Sequence, residues 1–287
     1  MNAIELKGIS VTYGEGTTFS VSALKNINIA FPEGRVTGVI GHTGSGKSTL
    51  ATLCNGLIEP SEGEVLLFGE NIRAGGKVPP SVRARVGLVF QYPEYQLFDE
   101  TVERDIGFGP RNMGLPEDEV AERVRLAAEF CGIGERELRA SPFELSGGQK
   151  RRAAIAGVLA MRPQVLVLDE PAAGLDPKGR EEILGGLLSY REKYGATLII
   201  ISHSMEDIAK YSDDILVLKE GEVYMQGTVE EIFMQAERLF DASLDLPQIT
   251  KLFVELKKRS VCDSTDIYTV GYAKKEIERI IKENKNA

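Results

Sequence analysis

The pattern GxxxxGK[ST] occurs once, at Gly41-His42-Thr43-Gly44-Ser45-Gly46-Lys47-Ser48. It lies directly after an apolar run, Val36–Ile40, that predicts a strand, and directly before Lys47–Leu57, which predicts a helix. Glycines let backbone N–H groups turn inward to form an anion-binding nest, and the N-terminus of a helix adds its dipole. In this context the pattern predicts a phosphate-binding loop.

The side chains at the end of this loop indicate which phosphate compound binds. Lys47 is expected to reach the β- and γ-phosphates, and the Ser48 hydroxyl to ligate Mg²⁺. The Thr49 hydroxyl should lie near the α-phosphate. The fingerprint of dinucleotide-binding proteins is not met, because Thr49 stands where its third glycine should be. The loop therefore predicts binding of a nucleoside triphosphate.

A second chemical signal is a buried strand that ends in two acids. The apolar run Val165–Leu168 is followed by Asp169 and Glu170. Ligands of α/β sheets sit at the carboxyl ends of strands, so these acids can meet the phosphates. Successive side chains of a strand point to opposite sides, which gives the two acids different roles. We expect Asp169 to hold the Mg²⁺ shell and Glu170 to polarise the attacking water.

A third signal is Leu145-Ser146-Gly147-Gly148-Gln149, which precedes a predicted helix over residues 148–161. Ser146 can cap that helix, and the two glycines that follow it expose backbone N–H groups. The segment is therefore expected to form a second anion site.

Composition excludes several classes of protein. The 287 residues carry a formal net charge of −9, so nucleic acid is not expected as a principal partner. Three distant cysteines and two histidines cannot build a disulfide framework or a His-rich metal centre. The longest apolar runs are far short of the roughly 20 residues that span a bilayer. The N-terminus does not read as a signal peptide, so any work at a membrane requires partners.

Strand and helix patterns alternate along most of the chain, which predicts an α/β fold with a largely parallel core sheet. Alternating apolar and polar residues in the first thirty predict antiparallel strands. The predicted strands are 4–9, 23–29, 36–40, 86–90, 165–168 and 198–201. The predicted helices after the phosphate loop are 117–130, 148–161, 178–194, 228–239, 246–259 and 273–285. We expect a nucleotide-binding domain at 1–235, with a helical subdomain at about 92–160, and a C-terminal helical extension at 236–287.

The motif LSGGQ, at residues 145–149, is diagnostic of ATP-binding cassette (ABC) ATPases, which this chain resembles over about residues 1–227. The resemblance implies a P-loop NTPase fold of the ABC ATPase type. Four more residues match family positions: Tyr13 resembles the aromatic that stacks on adenine, and Gln91 the Q-loop glutamine of the Mg²⁺ and water shell. Asp176 resembles the D-loop aspartate at the dimer seam, and His203 the switch histidine that contacts the γ-phosphate.

The segment Phe90–Phe98 is similar to the Q-loop region of energy-coupling factor (ECF) transporter ATPases, which serve importers of vitamins and metal ions. Residues 41–46 and 156–161 resemble the second of the two paralogous ATPases. The resemblance implies ATP and Mg²⁺ as cofactors, a heterodimer with the other paralogue, a transmembrane scaffold subunit and a substrate-binding membrane subunit. It also implies peripheral attachment at the cytoplasmic face of a bacterial cell membrane.

In the family, each composite site takes the phosphate loop, Asp169, Glu170 and His203 from one subunit and the signature from the other. We hypothesise that acids beside Gln91 receive arginines of the scaffold's coupling helices. These acids are Glu94, Asp99, Glu100 and Glu103. The main alternative is a homodimeric ATPase of a dedicated cobalt, nickel or biotin importer. Non-transport ABC ATPases of DNA repair or translation, and a non-catalytic nucleotide-binding regulator, fit the sequence less well.

Overall fold

The computed structural model describes residues 1–259, 261–262 and 267–286. Its strands are β1 (Asn2–Tyr13), β2 (Val21–Pro32), β3 (Val36–Ile40), β4 (Glu62–Leu67), β5 (Glu70–Asn71), β6 (Val86–Val89), β7 (Val165–Asp169), β8 (Thr197–Ile201), β9 (Asp214–Lys219) and β10 (Glu222–Thr228). Its first six helices are α1 (Lys47–Cys54), α2 (Pro80–Arg85), α3 (Val102–Asn112), α4 (Glu117–Phe130), α5 (Glu135–Arg139) and α6 (Gly147–Ala160). The later helices are α7 (Pro177–Tyr194), α8 (Met205–Tyr211), α9 (Val229–Phe233), α10 (Ala236–Asp241), α11 (Gln248–Lys258) and α12 (Val270–Asn286).

A six-stranded sheet forms the centre of the molecule, in the order β10-β9-β3-β8-β7-β6. All neighbours pair in parallel except β10, which runs antiparallel to β9. Strands β3, β6, β7 and β8 are buried at every residue, as expected for strands of a parallel sheet that is covered on both faces. The predicted α/β fold with a largely parallel core is confirmed.

The first two strands belong to a separate antiparallel sheet, in the order β2-β1-β4-β5. Ile4, Leu6 and Leu24 are fully buried on its inner face and pack with Val39 and Val167 of the central sheet in one hydrophobic cluster. The alternation of apolar and polar residues in β1 and β2 therefore predicted the antiparallel strands correctly. This packing brings the end of β1 close to the carboxyl edge of the central sheet.

Residues 92–160 contain helices α3 to α6 and no strand, as the sequence predicted. The helices pack through small residues: Gly109 of α3 lies against Met161, and Gly157 of α6 lies against the backbone of Ile106. Asp105 is buried and its Oδ2 accepts the backbone N–H groups of Phe98 and Asp99 at 2.8 and 2.9 Å. That carboxylate fixes the loop that leads from Gln91 into α3.

Two helix predictions need correction. The helix that starts at Lys47 ends at Cys54 rather than Leu57, because Gly56 takes a positive φ of 74° and the chain turns there. The predicted helix over residues 228–239 is two short helices, α9 and α10, with a break at Met234 and Gln235. The sequence predicted the helical conformation of this stretch but not the break in its backbone.

The C-terminal helices pack in two places. Leu239, Leu244 and Leu246 lie in the main hydrophobic core, whereas Phe253 and Ala273 belong to a small cluster of their own. The division at residue 235 into a nucleotide-binding domain and an extension stays a prediction. Among the described residues, no helix is long and apolar enough to cross a lipid bilayer.

Candidate functional site

One cleft at the carboxyl edge of the central sheet collects most of the predicted site residues. The phosphate loop follows β3, Gln91 follows β6, Asp169 ends β7 and His203 follows β8. These side chains surround a cavity of about 410 Å³. It is lined by Tyr13, Val21, Ser22, Ala23, Thr43, Gly44, Gly46, Lys47, Ser48, Thr49, Gln91, Asp169, Glu170 and His203.

The phosphate loop requires its glycines. Gly46 has a φ of 102°, and a Cβ there would lie 2.7 Å from the backbone oxygen of Ala23. A Cβ on Gly41 would lie 2.5 Å from the backbone oxygen of Leu218. Gly46 is also the N-cap of α1 and provides no side chain to accept the first N–H groups of that helix. Those donors are therefore available to an anion in the cleft.

Lys47 reaches across the mouth of this loop. Its Nζ donates hydrogen bonds to the backbone oxygens of Gly41 at 2.7 Å and His42 at 3.0 Å. Burial lowers the pKa of Lys47, and the nearby carboxylates of Asp169 and Glu170 oppose that shift. The ammonium group is therefore pre-positioned in the cleft and loses little freedom when it meets phosphate.

Ser48 and Asp169 form the part of the cleft that suits a divalent cation. The Ser48 hydroxyl donates to Asp169 Oδ2 at 2.7 Å, so two hard oxygen ligands already lie side by side. Within the described part of the chain there is no group of three or more His, Cys, Asp or Glu side chains that could hold a metal. The pair nevertheless fits Mg²⁺, which usually takes one or two protein oxygens and completes its shell with phosphate and water.

Glu170 is the group in the cleft whose pKa departs furthest from its ordinary value. It is 9% exposed, has a left-handed φ of 54°, and its Oε1 is buried without a hydrogen-bond partner. Burial, with a contribution from the charge of Asp169, raises the pKa of Glu170 to about 7, while a hydrogen bond from the backbone of His203 opposes the shift. A carboxylate with a pKa near neutrality and an unsatisfied oxygen is suited to accept a proton from water.

His203 lies beside this carboxylate, with its Nε2 3.8 Å from Glu170 Oε1. Burial lowers the pKa of His203, and the charge of Lys47 adds to the effect. The imidazole is therefore neutral at physiological pH and can donate one hydrogen bond into the cleft.

Tyr13 stands at the outer rim of the cleft, at the end of β1. Its ring is 46% exposed, and its hydroxyl lies 3.4 Å from Thr49 Oγ1. It pairs across the strands with Val21. The sequence did not single out Val21, Ser22 and Ala23, although all three line the cleft. The signal that would have found them is the pairing of β2 with β1, which a linear motif does not carry.

The signature segment, residues 145–149, does not line this cleft. Ser146 caps α6 as expected, because its Oγ accepts the N–H of Gln149 at 3.3 Å. The Gln149 side chain in turn accepts the N–H of Ser146 at 2.9 Å, which completes a capping box. Asp176 caps α7 by accepting the N–H of Gly179 at 2.7 Å. Gly41, His42 and Ser45 belong to the phosphate loop but do not line the cavity.

Comparison with known proteins agrees with this geometry. The family model described as ABC transporter matches residues 24–173. The "Energy-coupling factor transporter ATP-binding protein EcfA2" of Caldanaerobacter subterraneus subsp. tengcongensis is 50% identical over 283 residues, 99% of each chain. The protein of the same name from Clostridium perfringens is 47% identical over 284 residues, 98% of this chain and 99% of that protein.

Two solved structures are also similar. CbiO1 from Clostridium perfringens, described as part of the ABC transporter complex cbiONQ, has a TM-score of 0.75 and 41% identity over 88% of this chain and 98% of its own. The ATP-binding cassette MJ0796, solved as a dimer bound to ADP and Pi, has a TM-score of 0.71 and 29% identity over 79% of this chain and 98% of its own. The predicted ABC ATPase fold and the resemblance to ECF ATPases are confirmed. The chain belongs to the ABC transporter family, in its group of energy-coupling factor transporter ATP-binding proteins.

Proposed function

We propose that this ATPase subunit binds ATP with Mg²⁺ in the cleft and hydrolyses it to power import of vitamins or metal ions through membrane partner subunits. The observation that carries the proposal is the meeting of Lys47, the Ser48–Asp169 pair and the buried carboxylate of Glu170 in one cavity. Each of these groups is matched to one part of a nucleoside triphosphate reaction.

Within the cleft the protein groups have separate tasks. The phosphate loop and Lys47 bind the β- and γ-phosphates, and the Tyr13 ring stacks on adenine. Ser48, Asp169 and Gln91 would hold Mg²⁺, which neutralises developing charge on the phosphates. Glu170 accepts a proton from the attacking water, and neutral His203 donates to the γ-phosphate.

We infer that the complete site needs a second ATPase subunit. The donors of the signature, at the start of α6, lie outside the chain's own cleft, with Ser146 and Gly147 exposed to solvent and Gly148 half-buried. They are therefore available to a nucleotide held by another subunit. The partner is a paralogous ABC ATPase or a second copy of this chain, and closure and opening of the dimer would drive the transporter.

A groove beside the Q-loop supports docking of the membrane scaffold. It has a volume of about 480 Å³ and lies between the loop that follows Gln91 and helices α3 and α6. Phe98 and Phe108 line it, 57% and 46% exposed, with their rings 4.9 Å apart. We propose that the scaffold docks here and recruits the substrate-binding membrane subunit, which places the chain peripherally at the cytoplasmic face of the membrane.

The acids beside this groove are not equally available to a partner. Both oxygens of Glu94 accept from Arg151, at 3.0 and 3.1 Å, so this carboxylate is already neutralised. Glu100 pairs with Arg104 at the surface, and Arg104 also contacts Asp99. Glu103 is exposed in the first turn of α3. Docking through these acids stays a proposal, and Glu94 is the weakest candidate among them.

Glu170→Gln tests the assignment of the catalytic base. We expect the variant to bind ATP as the wild type does and to hydrolyse it at least a hundredfold more slowly at its own site, since general acid–base catalysis contributes about 10²–10⁴-fold. ATP affinity is measured by calorimetry and turnover by phosphate release in the assembled dimer. Turnover like that of the wild type would remove Glu170 from the mechanism.

The alternative is a homodimeric ATPase of a dedicated importer, and one observation supports a homodimer: the similar cassette MJ0796 is solved as a dimer. Exposed apolar residues of α12 (Val270, Tyr272, Ile277 and Ile281) support a role for the C-terminal helices as an added dimer contact. Val270→Ser combined with Ile281→Ser, which leaves the main core intact, should then shift the ATPase toward monomer in sedimentation experiments. An unchanged dimer fraction would exclude that role.

A further inference from the structure

Glu137 lies on α5, outside the signature segment but in contact with it. Its side chain is 21% exposed. Oε1 accepts from Gln149 Nε2 at 2.8 Å and from Arg152 Nη2 at 3.3 Å, and Oε2 accepts the backbone N–H of Gly134 at 2.8 Å. Because both oxygens are engaged, the carboxylate is held in one position relative to the start of α6.

The hydrogen bond between Glu137 and Gln149 fixes the orientation of the side-chain amide of Gln149. The capping box of α6 closes only when the amide oxygen of Gln149 faces the N–H of Ser146. The amide nitrogen then faces Glu137, and a carboxylate can only accept hydrogen bonds. With the amide reversed, its oxygen would lie against the carboxylate and its NH₂ group against the N–H of Ser146. Both contacts would be repulsive, so a negative charge at residue 137 selects the orientation that closes the box.

We infer that Glu137 is a positioning residue of the signature: it acts through Gln149 to present the donors of residues 146–148 to a nucleotide on the partner ATPase subunit. The inference rests on the proposed function of the signature in a composite site. With the box closed, Ser146 Oγ accepts from Gln149, which leaves its hydroxyl proton free to point outward. The N–H groups of Gly147 and Gly148 begin α6 and have no acceptor within the helix.

Arg152 offers a second route by which Glu137 could act. It bridges Glu137 to α7, where its Nη1 lies 3.9 Å from Glu182 Oε2, and its side chain is 16% exposed. Loss of the carboxylate would therefore also loosen the attachment of α6 to α7. A test of the inference must separate this packing effect from the orientation of Gln149.

The test uses the full-length ATPase dimer purified from its own cells, with the Glu137→Gln substitution in this chain. Glu135→Gln is the matched control, since it removes a charge from the same helix at a side chain that is 84% exposed and, within the described residues, pairs only with Arg139. The readout is trapping of ADP by orthovanadate, which requires the two subunits to be closed on the nucleotide, with the labelled subunit identified by photolabelling.

We expect Glu137→Gln to slow trapping about tenfold at the site to which this chain gives its signature. That factor corresponds to the loss of one charge-assisted hydrogen bond. Where the partner is a paralogue, labelling of this chain's own phosphate loop should be unchanged. ATP affinity of the isolated chain should also be unchanged, which controls for folding. Glu135→Gln should trap at the wild-type rate.

Two further variants make the outcome decisive. In a Gln149→Ala background, Glu137→Gln should cause no additional loss, because the residue through which it acts is gone. An equal loss in both backgrounds, or no loss in either, would overturn the inference and leave the composite site standing. Ser146→Arg should abolish trapping at the same site. If it does not, the proposed function of the signature fails, and the inference fails with it.

Discussion

Because Glu170 is buried, we expect the free energy of unfolding to depend on pH even in the absence of nucleotide. The folded-state pKa of about 7 lies above the ordinary value of 4.5, so the folded protein binds this proton more tightly than the unfolded chain does. Below pH 4.5 both states are protonated and the site has no effect on stability. As the pH rises through 4.5 to 7, the unfolded chain releases the proton first, and the free energy of unfolding falls. Above pH 7 the loss is complete.

Glu170→Gln removes the ionisation and keeps the shape of the side chain. A shift of one unit corresponds to 1.36 kcal/mol, so the rise from 4.5 to about 7 sets a ceiling of roughly 3 kcal/mol. The cleft opens to solvent, and water near the carboxylate reduces this value. We expect the variant to be about 1–2 kcal/mol more stable than the wild type at pH 8 and equal to it at pH 4.5.

The assay is urea unfolding of the nucleotide-free subunit in EDTA, at intervals between pH 4 and 8.5. The quantity compared is the difference in unfolding free energy between Glu170→Gln and wild type, because other titrating groups cancel in it. Glu192→Gln, at an exposed position of α7, is the control and should show no pH-dependent difference. If the unfolding free energies of Glu170→Gln and wild type differ by the same amount at every pH in this range, burial does not raise the pKa of Glu170.

Substitutions at three other residues test the cleft. Ser48→Ala should weaken binding of ATP with Mg²⁺ and leave Mg²⁺-free ATP binding nearly unchanged, and calorimetry with and without EDTA would show whether both fall together instead. Gly46→Ala should destabilise the subunit by at least 1–2 kcal/mol and abolish nucleotide binding, since the added Cβ would press on the backbone of Ala23. A thermal melt like that of the wild type would contradict this. Tyr13→Phe should keep ATP affinity, whereas Tyr13→Ala should lower it severalfold, about 1 kcal/mol; equal affinities of the two variants would exclude stacking.

The sequence predicted the features of the fold that follow from a local pattern of residue types. The apolar run Val165–Leu168 predicted a buried strand that ends in two acids, and the position of Ser146 before a helical pattern predicted its role as a cap. Neither conclusion needs knowledge of a distant contact.

The sequence did not predict the individual side-chain contacts between separate elements. Val21 lines the cleft because β2 pairs with β1, and Glu94 is neutralised because Arg151 of α6 lies opposite it. The raised pKa of Glu170 likewise comes from burial under neighbouring elements. The contact between Glu94 and Arg151 joins residues 57 positions apart, so no linear motif could carry it.

The central claim is that this ATPase subunit powers an ECF importer, and purification of the tagged chain from its own cells in mild detergent tests it most directly. Identification of every co-purifying protein should reveal a second, similar ATPase, a transmembrane scaffold and several different small membrane proteins. Recovery of the chain with only itself and one set of membrane proteins would favour the dedicated importer. Recovery of DNA or ribosomes without any membrane protein would contradict the transport function and leave only the ATPase.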